Sequence, residues 1–450
     1  MKGIFKFSNS QILKFQRMNS SSLSERDQQV IWHPYTQHQQ AELPIPVVRG
    51  EAALLFDETG HAYIDSISSW WVNIHGHAHP YIAEKIYRQA LALEHVIFTG
   101  FTHEPAVQLA ERLLPILPGN LKKLFYSDNG STAVEVALKM AIQYWGNKEQ
   151  PKRKKILAFR HAYHGDTFGA MSVSGRGLFT DAFRDFLFDV LFIDSPNGEN
   201  EEQLNSFIVS HAEDIACFIY EPLLQAAGGM RMYAAGGLDA LLKTAKACQI
   251  LCIADEVLTG FGRTGTFFAS EALSQTADII CLSKGITGGT MALGATACTQ
   301  EIFDAFLSDD GRRTFFHGHS YTANPIACAA GLASLDLLQG KACIDQIQAI
   351  TTSNTNFLKE KLLPEDPERI RNPRAIGTVL AFELGSTRHE YMSQTGMLIR
   401  QEGLKQGIYL RPLGNTVYIM PPYCISPAQL ATIYEFLLSL PELIRKNELG

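Results

Sequence analysis

The chain has 450 residues, 46% apolar and 19% charged, with a formal net charge of −7. That length exceeds one ordinary core and points to two or three lobes. The acidic balance, with no Lys/Arg-rich block, leaves no footprint for nucleic acid, and no apolar run reaches the ~20 residues of a membrane helix.

Residues 1 to about 25 carry Lys2, Lys6, Lys14 and Arg17, a serine cluster at Ser20, Ser21, Ser22 and Ser24, and no acid before Glu25. The stretch has the composition of a transit peptide, but a disordered extension, or a start at Met18, is the preferred reading. Residues 26 to about 80 hold short β-like runs (Pro46-Val47-Val48 and Ala53 to Phe56) and form the N-terminal part of a smaller lobe. They end in Ser68-Ser69-Trp70-Trp71 and the alternating His75, His77 and His79. No Cys or carboxylate accompanies these histidines, so a metal site is not expected. Two adjacent tryptophans cannot both enter one core from a regular strand, so at least one is expected to face a cavity.

A larger lobe follows, over about 81–338. Leu121 to Tyr126 reads as a strand, and Ser127 to Thr132 as turn and cap chemistry. Ala133, Ala137, Met140, Ala141 and Tyr144 then recur at helical spacing, with Thr132 and Glu135 as a capping box. The Gly130-Ser131 turn at this helix start offers free amides and a positive dipole end to a phosphate. Further strands are expected at 155–159, 190–193, 216–220, 250–254, 279–282 and 293–298, alternating with helices, which implies a mostly parallel sheet covered by helices. Between the first two lies the polar loop Arg160 to Asp166, where Tyr163 is placed to stack on a ring or to pack its own loop. Residues 339–450 read as the C-terminal part of the smaller lobe, with a helix over 352–363, a strand over 377–383, a helix over 392–406 and strands over 408–411 and 417–420. Arg411, at a strand end, reads as a carboxylate clamp or a surface ion pair.

Two stretches carry the chemistry. Ile279 to Leu282 is an apolar run followed by Ser283, Lys284 and Gly285, which puts a lysine outside the carboxyl end of a strand, where α/β sheets bind ligands. Desolvation there lowers the amine pKa and frees a nucleophile. Ile250 to Ala254 is a second such run, ending in Asp255. A lysine for a Schiff base and a carboxylate for a pyridine nitrogen are what pyridoxal 5'-phosphate requires. The eight cysteines form no CxxC pair, and several lie inside apolar runs (Cys217, Cys252, Cys281, Cys298). They read as buried thiols of a reducing compartment.

With these residues assembled, the chain from about Ile31 onward resembles the fold-type I, class III pyridoxal-phosphate-dependent aminotransferases. The broad signals are Asp255 to Gly265 and Ser283-Lys284-Gly285. The narrower ones are Trp32 to Thr36, Ser68 to Trp71, Ala162 to Asp166, Gly228 to Met230, Leu410 to Pro412 and Tyr418 to Pro422. The resemblance implies an α/β large domain with a seven-stranded sheet and a smaller α+β domain. It implies that Lys284 holds the cofactor and moves the proton, and that Asp255 faces the pyridinium. Gly130 and Ser131 would hold the phosphate, with His319 and Ser320 of the partner subunit of a homodimer. Tyr163 would stack on the ring, and Glu221 would support the site. Tyr35, Trp70, Trp71, Tyr163, Gly318, Arg411 and Tyr418 would contact substrate. His319-Ser320 departs from the Pro-Thr of some members, although serine still donates to phosphate. The narrower motifs imply a biotin-pathway enzyme, and a cytoplasmic location is expected ahead of an organellar one. The enzyme would have S-adenosylmethionine as amino donor and 8-amino-7-oxononanoate as acceptor, with no nucleic acid or membrane partner. The alternatives are another donor such as lysine, another reaction on the same scaffold, and a non-enzymatic cofactor-binding protein.

Overall fold

The computed structural model describes residues 22–385 and 394–448. Most of the expected N-terminal extension therefore lies outside the described residues. Its last residues are helical: Ser22 and Glu25 cap the helix Leu23–Val30 reciprocally.

The core is a seven-stranded sheet. Its order is Leu121–Ser127, Gly294–Thr299, Ile279–Leu282, Leu251–Asp255, Ile215–Tyr220, Lys155–Phe159 and Leu191–Ile193. Only Gly294–Thr299 runs antiparallel to its neighbours. The strands lack polar alternation because both faces are covered. Ile156, Ala158, Cys217, Ile219, Ile253, Ile279 and Cys281 pack under the helix Gly130–Asn147. Leu157, Phe159, Phe218, Tyr220, Cys252, Ala254, Ile280 and Leu282 pack on the opposite side with Leu238, Leu241 and Leu242 of the helix Ala235–Ala247. Truncating a fully buried ring here, such as Phe218, costs about 3–5 kcal/mol.

A second sheet joins distant chain segments. Val47–Glu51, Leu54–Asp57 and Ala62–Asp65 form a meander, and Ile408–Tyr409 adds in parallel to Ala62–Asp65. The expected strand over 408–411 is shorter than anticipated, since Pro412 cannot donate to a ladder. A third sheet has the order Ile370–Ile376, Val379–Leu384, Thr416–Ile419. Its first strand was not among the expected elements. Pro373 lies on an edge strand, within the irregularity between Arg371 and Arg374, where proline is tolerated. The helix expected over 352–363 starts earlier, as Lys341–Phe357, and runs into a wider turn at Leu358–Leu362. The start of the helix expected over 392–406 lies outside the described residues, and Gln394–Lys405 is helical. Among the described residues, no helix is long and apolar enough to cross a membrane.

Candidate active site

Strand register brings the two key residues together. Leu251–Asp255 and Ile279–Leu282 are neighbouring parallel strands, with Asp255 opposite Cys281. Asp255 is therefore the last residue of one strand, and Lys284 follows the end of the next. Both line one cavity of ≈470 Å³, together with Asp128, Asn129, Gly130, Ser131, Tyr163, His164, Glu221 and Trp71. Burial pushes the Lys284 amine below its ordinary value, and the Asp255 and Glu221 charges oppose that only in part. Its Nζ lies 5.0 Å from the centre of the Trp71 ring.

Asp255 is buried. Its Oδ1 accepts the Val257 amide at 3.0 Å, and its Oδ2 lies 2.6 Å from His164 Nδ1. An ionised carboxylate only accepts, so the histidine donates from Nδ1. His164 was passed over in the sequence, although it lies in the Arg160–Asp166 loop singled out there. Its complete burial against a strand 91 residues away has no local signature.

At the other end, the helix Gly130–Asn147 begins. Its cap differs from the expected one: Asn129 and Thr132 bond reciprocally. Glu135 instead accepts from the Thr167 hydroxyl and the Gly169 and Ala170 amides. The cap occupies the Thr132 amide, and the Gly130 and Ser131 amides ahead of it are orphan donors of the helix start. Gly165, at φ +134°, packs against Ser131. A Cβ there would lie 2.0 Å from Ser131 Oγ.

The Tyr163 amide donates to Glu221 Oε1 at 2.9 Å, and the Ala226 amide to Oε2 at 3.0 Å. Burial, against a partly opposing His164, raises the Glu221 carboxyl to about 7. The Tyr163 hydroxyl lies 3.2 Å from that of Tyr35, which also donates to Asp166. Burial, then the Tyr35 bond and the Asp166 charge, push the Tyr163 phenol up.

Arg411 stacks its guanidinium 4.2 Å over Trp70 and 5.9 Å from Tyr35. Trp70 meets Tyr35 edge-on at 5.4 Å. Tyr418 is buried behind Trp71, whose indole donates to its hydroxyl at 2.9 Å. Tyr418 therefore reaches the cavity only through that ring. Gly318 and Ser320 are exposed and His319 is half-buried, and none of the three lines the cavity. A second cavity of ≈700 Å³ adjoins the first through Tyr163, Gly165 and Ala227. The histidines His75 and His77 turn to separate partners, Ser334 and Asp65.

The donor set fits pyridoxal phosphate. An amine, a buried carboxylate braced by histidine and a helix start with no room for a Cβ above it meet around one space of ligand size.

Residues 35–440 match the family model described as aminotransferase class-III. The chain is 48% identical over 420 residues to the adenosylmethionine-8-amino-7-oxononanoate aminotransferase of Synechococcus elongatus, covering 91% of this chain and 98% of that one. It is 37% identical to the enzyme of the same name from Helicobacter pylori, over 95% and 99% of the two chains. The crystal structure of the enzyme of that name from Methanocaldococcus jannaschii superposes with a TM-score of 0.88 at 35% identity, over 94% and 98% of the chains. An amine transaminase from an uncultivated Pseudomonas species, solved with pyridoxal phosphate bound, gives 0.84 at 29% identity over 92% and 98%.

Proposed function

Since the chain belongs to the class-III aminotransferase family, a pyridoxal-phosphate-dependent one, we propose that it moves the amino group of S-adenosylmethionine to 8-amino-7-oxononanoate. The product is 7,8-diaminononanoate, on the way to biotin. The observation that carries the reading is the meeting of Lys284 and Asp255 at the ends of adjacent parallel strands in one cavity, in a chain nearly half identical to a relative of that name.

The cofactor supplies an aldehyde that takes up the amino group and a protonated ring that spreads the charge left when a proton leaves carbon. Lys284 Nζ is the group that would hold the cofactor's aldehyde carbon. When free, the same amine, its pKa lowered by burial, would serve as the base and then the acid that moves the substrate's proton. Asp255, oriented by His164, keeps the ring nitrogen protonated. The Gly130 and Ser131 amides and the Ser131 hydroxyl bind the phosphate. Tyr163 packs on the ring, with its amide tied to Glu221. Arg411, seated beside the edge-on pair of Trp70 and Tyr35, binds the carboxylate of the acceptor.

The assembly we propose is a homodimer in the cytoplasm, with residues 26–80 and 339–450 as the smaller domain and 81–338 as the larger. The exposed Ile97, Phe101, Phe316 and Tyr321 support a subunit contact next to Gly318, His319 and Ser320. In that assembly these three residues complete the partner's site.

The test is direct. Adding S-adenosylmethionine to the purified protein should bleach the cofactor's visible band, and adding the oxononanoate should restore it and yield the diamine by mass spectrometry. Lys284→Ala should retain cofactor and lose turnover by about 10²–10⁴-fold from proton transfer alone. Bleaching by lysine but not by S-adenosylmethionine would assign a different donor and overturn the proposal.

A further inference from the structure

The two adjacent tryptophans leave the chain in an unusual way. Ser68, Ser69 and Trp71 have φ of +52°, +60° and +68°, positive values that residues with side chains rarely hold unless their surroundings over-determine them. Because of this turn, neighbouring indoles reach different groups. Trp71 lies under the Lys284 amine and Trp70 under the Arg411 guanidinium.

The two rings are secured separately. Trp71 is held from the C-terminal side, its indole N–H by Tyr418 and its carbonyl by Arg263 Nη2 at 3.3 Å. The Ser69–Trp70 half is held by Asp65, the last residue of the strand Ala62–Asp65 and completely buried. Asp65 Oδ1 accepts the Ser69 amide at 2.8 Å and the Ile67 amide at 3.3 Å. Its Oδ2 accepts the Ser69 hydroxyl at 2.9 Å and faces His77 Nε2 at 2.9 Å. The Asn73 side-chain amide donates to His77 Nδ1 at 3.0 Å, which leaves the His77 proton on Nε2, pointing at Asp65. Every partner of the carboxylate is thus a donor, and two of the four bonds go to Ser69.

We propose that Asp65 is a positioning residue. By clasping Ser69 in its positive-φ conformation it sets the Trp70 indole against Arg411, and so shapes the carboxylate-binding end of the site. Asp65 touches neither substrate nor cofactor. It acts on the acceptor end and leaves the Lys284 end to the Tyr418 and Arg263 anchors. The kinetic part of this inference rests on the proposed role of Arg411.

Ser69 separates the clasp from general stability. Ser69→Ala loses the hydroxyl and still has to hold φ near +60°. Ser69→Gly also loses the hydroxyl but adopts that φ freely. In the full-length holoenzyme, Ser69→Ala should raise KM for the oxononanoate about tenfold, with KM for S-adenosylmethionine and the rate of the donor half-reaction within about twofold of wild type. Ser69→Gly should restore KM for the oxononanoate to within about threefold of wild type. The near-ultraviolet circular dichroism of the substrate-free holoenzyme gives a reading independent of substrate identity. Ser69→Ala should change the tryptophan bands that Trp70→Phe identifies, and Ser69→Gly should not. Unchanged bands in Ser69→Ala, equal impairment by Ala and Gly, or equal losses in both half-reactions would each overturn the proposal. A protein that does not turn over these substrates, yet shows the expected bands, would refute the function and leave the clasp standing.

Discussion

Replacing Asp255 by Asn separates its charge from its shape. An asparagine keeps the Val257 bond through its carbonyl and turns its NH2 toward His164 Nδ1. The imidazole can meet that donor by moving its proton to Nε2, a buried atom without a hydrogen-bond partner among the described residues. Exchanging a charge-assisted bond for a neutral one costs about 1 kcal/mol, which moves the thermal midpoint by only a few degrees. On the proposed pairing, what disappears is a negative charge beside a protonated ring nitrogen. Unit charges about 4 Å apart at an effective permittivity of about 20 attract by about 4 kcal/mol, or roughly 10³-fold in rate. The assay is a single-turnover donor half-reaction, followed by cofactor absorbance in protein carrying a full complement of cofactor. We expect the Asn variant to be slower by about 10³-fold at nearly unchanged thermal midpoint. Slowing of less than about tenfold with the cofactor in place would refute the pairing of this carboxylate with the ring.

Two further outcomes follow from the same geometry. Gly165→Ala forces a Cβ to within 2.0 Å of Ser131 Oγ at a φ of +134°. It should cost about 1–3 kcal/mol of stability and weaken cofactor binding by more than about tenfold; unaltered affinity in a titration of the apoprotein would rule out Ser131 as part of the cradle. Glu221 has a folded-state value of about 7 against an ordinary 4.5, so its contribution to stability is full below pH 4.5 and is lost as pH rises through 7. The difference corresponds to about 3 kcal/mol. Glu221→Gln removes the titration and sets an NH2 against a backbone N–H, so it should be less stable at low pH but flatter between pH 5 and 7; urea midpoints showing the wild-type slope in both proteins would contradict the burial argument.

Lys284 and Asp255 were legible in the sequence because a strand buried on both faces is a short apolar run, and the polar residue that follows it must sit at the strand's carboxyl end. The same logic exposed Gly130-Ser131, although the cap was misassigned: Asn129 and Thr132 satisfy each other, and Glu135 is drawn away to amides more than 30 residues ahead. Arg411 was recognisable as a cation at a strand end, but its seat on Trp70 depends on a positive-φ turn that no residue type at 68–71 announces.

The amino-acid sequence by itself determined the sheet-and-helix alternation and the chemical identity of the groups at its strand ends, because apolar periodicity and strand-end polarity are local properties of the chain. Only the tertiary structure decided which distant groups meet. His164 reaches Asp255, Ile408–Tyr409 extends the sheet of Ala62–Asp65, and Asp65 grips Ser69. Those meetings depend on strand register and on which side chains lose their water together, and neither property belongs to any one segment.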